Sequence, residues 1–504
     1  MSTRILIAIA LTVPLRAQTV PPQSVPPPSR PAQLPLSGRT GQQGGVLTVQ
    51  NPLPAGLQSV NTITSTVQVQ GAYQGSVASA AAAGPSIALS LDEAIRRGLE
   101  FNLGAVVNQQ NVRLAQAAHT IERSALLPYA SSNLLVNQQQ INLAALGFTG
   151  LPGVPQIVGP FQYFDLRAGV SQSVFDLTRI RNFRASHENV QSAQFAAQDA
   201  RDLIVLAVTG GYLQILASTA RVETTRAQVT TARATHQQAV DRYSAGVVPR
   251  IDVTRTQVEL QVEQQRLFSV ENDLAKLKIG FGRIIGLPPG QEFTLADTLP
   301  YAPLTAVTLD EALKRAYTNR SDLKAAESQV RAAELSRKAA VAERYPTIQV
   351  GGDYGVIGPS PNNAHGTFGL SGAVRLPIFQ GGRVQGDIEV ADAGLQQRRA
   401  ELQDLRGRID ADVRNAFLDL TSAANQVGVS ESNRTLAQDT LTQARDRFTA
   451  GVADTLEVVQ AQESVAIAEQ DYISSLYAHN LAKASLARAM GQADQNIRQF
   501  LGRP

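Results

Sequence analysis

The chain has 504 residues, with 45 Lys and Arg against 42 Asp and Glu for a formal charge of +3, and no concentrated basic patch, so nucleic acid is a poor partner. There is no cysteine, which excludes disulfides, thiolate metal sites, cysteine nucleophiles and a lipidated N-terminal cysteine. Beyond the N-terminus no apolar run approaches the ~18 residues of a transmembrane helix, so a membrane crossing by this chain requires β-strands.

Arg4, the apolar stretch Ile5 to Leu15, and Ala17 before Gln18 read as a secretory signal covering residues 1–17. Seven prolines follow, from Pro21 to Pro35, and hold their segment extended because proline has a fixed φ and donates no hydrogen bond. Residues 40–88 are rich in Gly, Ser, Thr, Val and Gln. The alternation at Ile63, Ser65, Val67 and Val69 leaves open either one added strand or no fixed structure.

Two long windows contain no proline, Phe161–Val248 and Ile378–Arg503, and both favour helix by composition. Each breaks once, at Ala245-Gly246-Val247-Val248-Pro249 and at Ala450-Gly451-Val452-Ala453-Asp454. Glycine just past a helix end and Pro or Asp at the next start predict a helix, a tight turn and a returning helix. The first helix, from Ile180 to Ser244, would be roughly 100 Å long at 1.5 Å per residue, so it needs support from other helices along its length. In the returning helix Val253, Leu260, Leu267, Leu274 and Phe281 recur every seven residues, a coiled-coil seam. Val458, Val465, Tyr472, His479 and Leu486 repeat the spacing, with His479 expected to pack at a partly wet interface.

The chain contains itself twice. Ser90-Leu91-Asp92-Glu93-Ala94 matches Thr308-Leu309-Asp310-Glu311-Ala312, and Pro128 matches Pro346 at the same offset of 218. Arg242 matches Arg447, Gly246 matches Gly451 and Gly286 matches Gly491 at an offset of 205. The difference is extra sequence between Pro128 and Phe175, which contains Gly147, Gly150, Gly153 and Gly159 and reads as a longer loop. Each copy opens with a reciprocal capping box, Ser90 with Glu93 and Thr308 with Glu311, and a helix of about 35 residues ending at the proline. Two strands follow in each copy. They alternate at Ile348, Val350, Gly352, Tyr354 and Val356, at Phe368, Leu370, Gly372, Val374 and Leu376, and at Leu166, Ala168, Val170, Gln172 and Val174. The partner near Ala130–Gln138 is weaker. This divides the chain into a signal (1–17), an extension (18–88), a first repeat (89–290), a linker (291–306), a second repeat (307–491) and a tail (492–504). The class is mainly α with a small β part. Four strands cannot close a barrel, so strands that span a membrane must be shared among several chains.

The doubled Leu-Asp-Glu-Ala starts at Leu91 and Leu309, the corner Leu376-Pro377-Ile378-Phe379-Gln380-Gly381-Gly382, and the paired turns resemble the TolC-like outer membrane factor family over residues 89–491. The resemblance implies a homotrimer in which long antiparallel coiled-coil helices form an α-barrel in the periplasm. Four β-strands per chain would contribute to a shared 12-stranded β-barrel in outer-membrane lipid. It also implies a periplasmic adaptor and an inner-membrane pump as partners, and as function an exit duct of a tripartite efflux or type I secretion system; no cofactor is expected. By the same resemblance Asp252 and Glu457 match acidic residues at the constriction. Gln460 stands where some members carry a second acid, and Phe448 where a tyrosine can bond to an acid. Gly246, Val247, Val248, Gly451 and Val452 would form the adaptor-docking tip, with the valines exposed.

Each of these residues also has a purely structural reading. Asp252 and Glu457 sit where a helix N-terminus favours anions, and Asp454 with Glu457 resembles a capping box. The glycines are required by the turns, and the valines suit ordinary turn packing. No P-loop, His-Glu-x-x-His or Gly-x-Ser-x-Gly occurs, and His119, His187, His236, His365 and His479 show no metal spacing, so neither catalytic nor metal residues are expected. The alternative is an exported periplasmic coiled-coil scaffold, which would explain the helices but not two strand pairs at equivalent places in two repeats.

Overall fold

The computed structural model describes residues 45–52, 63–77, 84–148, 153, 155–297, 301–302 and 307–501. The signal read at 1–17 and the proline-rich segment lie outside these residues. In chain order the elements are β1 (Val46–Pro52), β2 (Ile63–Val69), β3 (Ile87–Leu89), α1 (Leu91–Phe101), α2 (Leu103–Ser124), β4 (Tyr129–Asn142), β5 (Ile157–Phe175), α3 (Leu177–Ser244), α4 (Arg250–Ile284), β6 (Phe293–Leu295), α5 (Leu309–Asn319), α6 (Ser321–Ala342), β7 (Thr347–Gly358), β8 (His365–Arg375), α7 (Arg383–Thr449), α8 (Thr455–Ala489) and α9 (Ala493–Phe500). They form two compact units, one of Ile121–Ile180 with Val341–Val384 and the other of the remaining described residues.

The first unit holds an antiparallel sheet in the order β4-β5-β7-β8. Side chains alternate between faces along a strand, and residues paired across strands share a face. Leu134 pairs with Leu166, Leu166 with Val356, Ala168 with Tyr354, and Tyr354 with Phe368. One face is therefore apolar from edge to edge, and it is bare in the single chain: Phe368 is 75% exposed and Leu370 85%. The other face is polar. There Arg167 ion-pairs with Asp353, lies 3.4 Å from Asp165, and donates to Thr367 Oγ1 at 3.2 Å. The weak strand near Ala130 is fully formed, because every residue from Tyr129 to Gln139 finds a partner on β5. The extra sequence of the first copy is only partly loop. It extends β4 and β5 to 14 and 19 residues, against 12 and 11 for β7 and β8.

The second unit is helical, and its two halves repeat the same devices. Ser90 and Thr308 cap α1 and α5 by accepting from the amides of Glu93 and Glu311 at 3.3 Å. The boxes are one-sided: the Glu93 carboxylate turns to Arg96 (2.6 Å) and that of Glu311 to Arg315. Neither expected helix of about 35 residues is continuous. Each breaks after 11 residues, at Asn102 (φ −62°, ψ 133°) and at the matching Arg320 (φ −57°, ψ 122°), where ψ leaves the helical range. Asn102 holds its break by donating to Tyr73 O (2.9 Å) and Ile284 O (3.1 Å) and accepting from Gly104 N (2.9 Å). Arg320 holds the other by pairing with Asp322 (2.6 Å) and Asp412 (3.0 Å). One amide freed at each break is thus capped, Gly104 N by Asn102 Oδ1 and Leu323 N by Asp322 Oδ1 at 2.9 Å.

The core lies where α3 and α8 run through the middle of this unit, with Ile204, Val208, Tyr212 and Leu213 on α3 and Leu481, Ala484 and Leu486 on α8 almost fully buried. This explains one departure from the sequence reading. α3 holds a stretch long and apolar enough to cross a membrane by length and composition, yet 72% of it is buried inside the protein. Part of the N-terminal extension joins the core as well. β1 and β2 form a hairpin that buries Val46 and sets Val67 against Gly210, where any side chain larger than hydrogen would collide. The seam residues of α4 are only half-buried up to Phe281, whereas α8 is enclosed over most of its second half. His479 is accordingly dry, at 2% exposure, with no partner on Nδ1. Burial and the neighbouring Lys483 push its pKa down to about 4. Lys483, itself buried, donates to Ala302 O.

Candidate functional site

The two turns between long helices share one geometry. Gly246 (φ 73°) and Gly451 (φ 75°) adopt the left-handed conformation that L side chains avoid. At the first turn Gly246 N donates to Tyr243 O at 2.9 Å and Val247 N to Arg242 O at 2.9 Å; at the second, Gly451 N donates to Phe448 O at 3.2 Å and Val452 N to Arg447 O at 3.0 Å. These are Schellman closures that satisfy the last carbonyls of α3 and α7. Val247 (69%) and Val452 (71%) are the exposed apolar tips. Val248 is half-buried instead, beside Pro249.

The acidic residues behind the turns are each matched by an arginine. Asp252 lies in the first turn of α4, its carboxylate 13% exposed and 3.2 Å from Arg255. Glu457 receives the Asp454 cap through its amide at 3.2 Å, while its carboxylate lies 3.4 Å from Arg447. Gln460 is exposed on the next turn of α8. Phe448 is buried at 5% exposure, packed with Ala444, Val458 and Ala461.

The sequence alone marks Arg242 only as a repeat position. It lies 4.2 Å over the Phe448 ring and donates to Phe448 O at 3.0 Å and Thr449 O at 3.5 Å. One side chain of the first hairpin therefore clasps the end of α7, where carbonyls and the helix dipole favour a cation. The signal that could have found it was the asymmetry of the repeat itself, a tyrosine at 243 answered by a phenylalanine at 448.

Residues 105–286 and 312–492 match the outer membrane efflux protein family. The chain belongs to that family. Among its relatives, the pyoverdine export outer membrane protein OpmQ of Pseudomonas aeruginosa is 25% identical, the match covering 82% of this chain and 87% of OpmQ. The toluene efflux pump outer membrane protein TtgF of Pseudomonas putida is 24% identical over 80% of this chain and 84% of its own. Among solved structures, the Campylobacter jejuni CmeC outer membrane channel shares the fold, with a TM-score of 0.71 at 13% identity over 90% of this chain and 98% of CmeC. The chain is thus an outer-membrane efflux protein, of a family whose members are channels rather than enzymes.

Proposed function

We propose that three copies of this outer membrane efflux protein close one barrel in the outer membrane and form a passive exit duct, its helices extending into the periplasm. The carrying observation is the four-stranded sheet, apolar across one face apart from Ser132, Gln138, Gln162 and Gln172, with β4 and β8 as its outer strands. Lipid supplies no hydrogen bonds to open strand edges, so β4 of one copy pairing with β8 of the next is the closure available, and three times four gives 12 strands. The bare apolar side chains of α4, Ile251, Val258, Val262, Phe268 and Ile279, support contact with further helices in the same assembly.

In this reading Gly246, Val247, Val248, Gly451 and Val452 form the tip that meets a periplasmic adaptor, itself joined to an inner-membrane pump. Asp252, Glu457, Gln460 and Phe448 surround the aperture. The pairing of both acids with arginine argues against a strongly anionic ring. TtgF is named as part of an efflux pump, which favours a tripartite efflux setting over type I secretion for this chain. The test is the mass of the detergent-extracted particle by light scattering, corrected for bound detergent. Three chains per particle are expected. A monomer or dimer released without detergent would favour the exported coiled-coil scaffold.

A further inference from the structure

Arg242 and Phe448 make one half of a contact that the internal repeat writes twice. Within the chain Arg242, at the end of α3, lies over the Phe448 ring at 4.2 Å and donates to Phe448 O and Thr449 O, so the first hairpin grips the second. The offset that equates Arg242 with Arg447 also equates Tyr243 with Phe448 and Ser244 with Thr449. The second hairpin therefore carries its own gripping arginine, and the first carries a ring and two carbonyls in the gripped positions. Neither is used in this way by the chain itself. Among the described residues Arg447 has one polar partner, Glu457, whose Oε1 lies 3.4 Å from Nε, so both Nη nitrogens remain to donate. Its side chain is 59% exposed. Tyr243 is 47% exposed where the gripped Phe448 is 5%. Tyr243 O accepts from Gly246 N at 2.9 Å, as Phe448 O does from Gly451 N, and a carbonyl oxygen has a second lone pair.

A second copy of the chain supplies the missing halves. In a ring of three copies the hairpins alternate, and each second hairpin has the first hairpin of the next copy on its outer side. A head-to-tail contact repeated in one direction closes such a ring. We propose that Arg447 of each copy clasps Tyr243 of the next, its guanidinium over the phenol ring and its Nη nitrogens donating to the carbonyls of residues 243 and 244. The clasp rests on the three-copy reading above and deepens it, because the site is incomplete without the neighbouring copy. A tyrosine face attracts a cation as a phenylalanine face does, so the change of residue between repeats keeps the chemistry. Arginine suits the position because its planar fork serves ring and carbonyl together, here at a helix C-terminus that favours positive charge. The Nε contact with Glu457 is kept, and the acid holds the guanidinium in place for the clasp.

The experiment uses the full protein in non-ionic detergent and reads two things. First, the photoreactive p-benzoylphenylalanine is placed at residue 243 and irradiated, and the attachment point is located by peptide mass. Cross-links that join separate copies, end at three chains and attach beside Arg447 are expected. Second, amide exchange is followed in the last turn of α3. Arg447→Ala and Tyr243→Leu are each expected to speed it about tenfold, whereas Tyr243→Phe retains most of the protection because the ring and not the hydroxyl is gripped. Glu457→Gln removes the acid beside Arg447 and leaves the arginine, so its effect on that turn is expected to be smaller than that of Arg447→Ala. A role confined to the Arg447–Glu457 pair would instead give both variants the same effect, at the start of α8. Attachment only within one chain or away from Arg447, or exchange in α3 that Arg447→Ala does not move, would overturn the clasp. If light scattering finds three copies per particle and these tests fail, the clasp alone falls. If it finds single chains, the three-copy reading falls and takes the clasp with it.

Discussion

Arg242 joins two helical hairpins through one guanidinium, by a stacked ring at 4.2 Å and a carbonyl at 3.0 Å. A partly buried cation–π contact and a charged hydrogen bond together are worth about 2 kcal/mol. Arg242→Ala is therefore expected to speed amide exchange in the last turn of α7 by about thirtyfold, with Arg242→Lys in between because a point charge cannot fork between ring and carbonyl. Unchanged exchange would show that the clasp holds nothing. At this scale the sequence was partly legible. Phe448 and both glycines stood out by spacing, but the partner of Phe448 lies 206 residues away in the chain, and no local pattern encodes such a pairing. The capping boxes erred similarly, because arginines one turn on, Arg96 and Arg315, outcompete the cap for the glutamates.

The four glycines marked by the repeat separate into two kinds once their helices are in place. At Gly246 and Gly451 a Cβ would meet open space, whereas at Gly286 it would strike Phe101 Cβ, and at Gly491 it would lie 2.8 Å from Arg320 Cα. Gly286 and Gly491, both with φ 68°, seat the ends of α4 and α8 against the two helix breaks, one in each repeat. Gly246→Ala is expected to cost about 1 kcal/mol, the left-handed penalty alone. Gly286→Ala carries a clash as well and is expected to cost more than about 2 kcal/mol in thermal or urea unfolding. Equal costs would contradict the distinction. The sheet sorts its residues by face. Leu370→Arg, on the apolar face midway along β8, is expected to cost about 2–4 kcal/mol and to lower the yield of inserted protein, while Ser371→Arg on the polar face leaves it near normal. Strand alternation made β5, β7 and β8 readable, and β4 was weak because Ser131, Ser132 and Asn133 interrupt the pattern. The breaks at Asn102 and Arg320 are only half legible, since one partner of each is local, Gly104 N and Asp322, and the other comes from distant sequence, Ile284 and Asp412.

At the scale of the whole molecule the two repeats are alike in order and unlike in surroundings. The second half of α8 is largely enclosed within its own chain and α4 is not, although both carry a seven-residue repeat. Periodicity shows which side of a helix is apolar, but not whether the same chain or another copy covers it. The apolar stretch of α3 makes the same point, because its composition matches a membrane span and its neighbours make it core. In the proposed trimer the outer strands β4 and β8 are completed by other copies. The absence of cysteine allows a direct test, with one cysteine placed on β4 (at Ser131 or Asn133) and one on β8 (at Thr367 or Ser371), followed by oxidation in outer-membrane fractions. Within one chain β5 and β7 lie between these strands, three spacings of about 4.8 Å, too far for a disulfide. Covalent species that end at three chains are predicted for at least one pair. No cross-linked species at any pair, or a ladder that continues past three, would contradict the shared barrel.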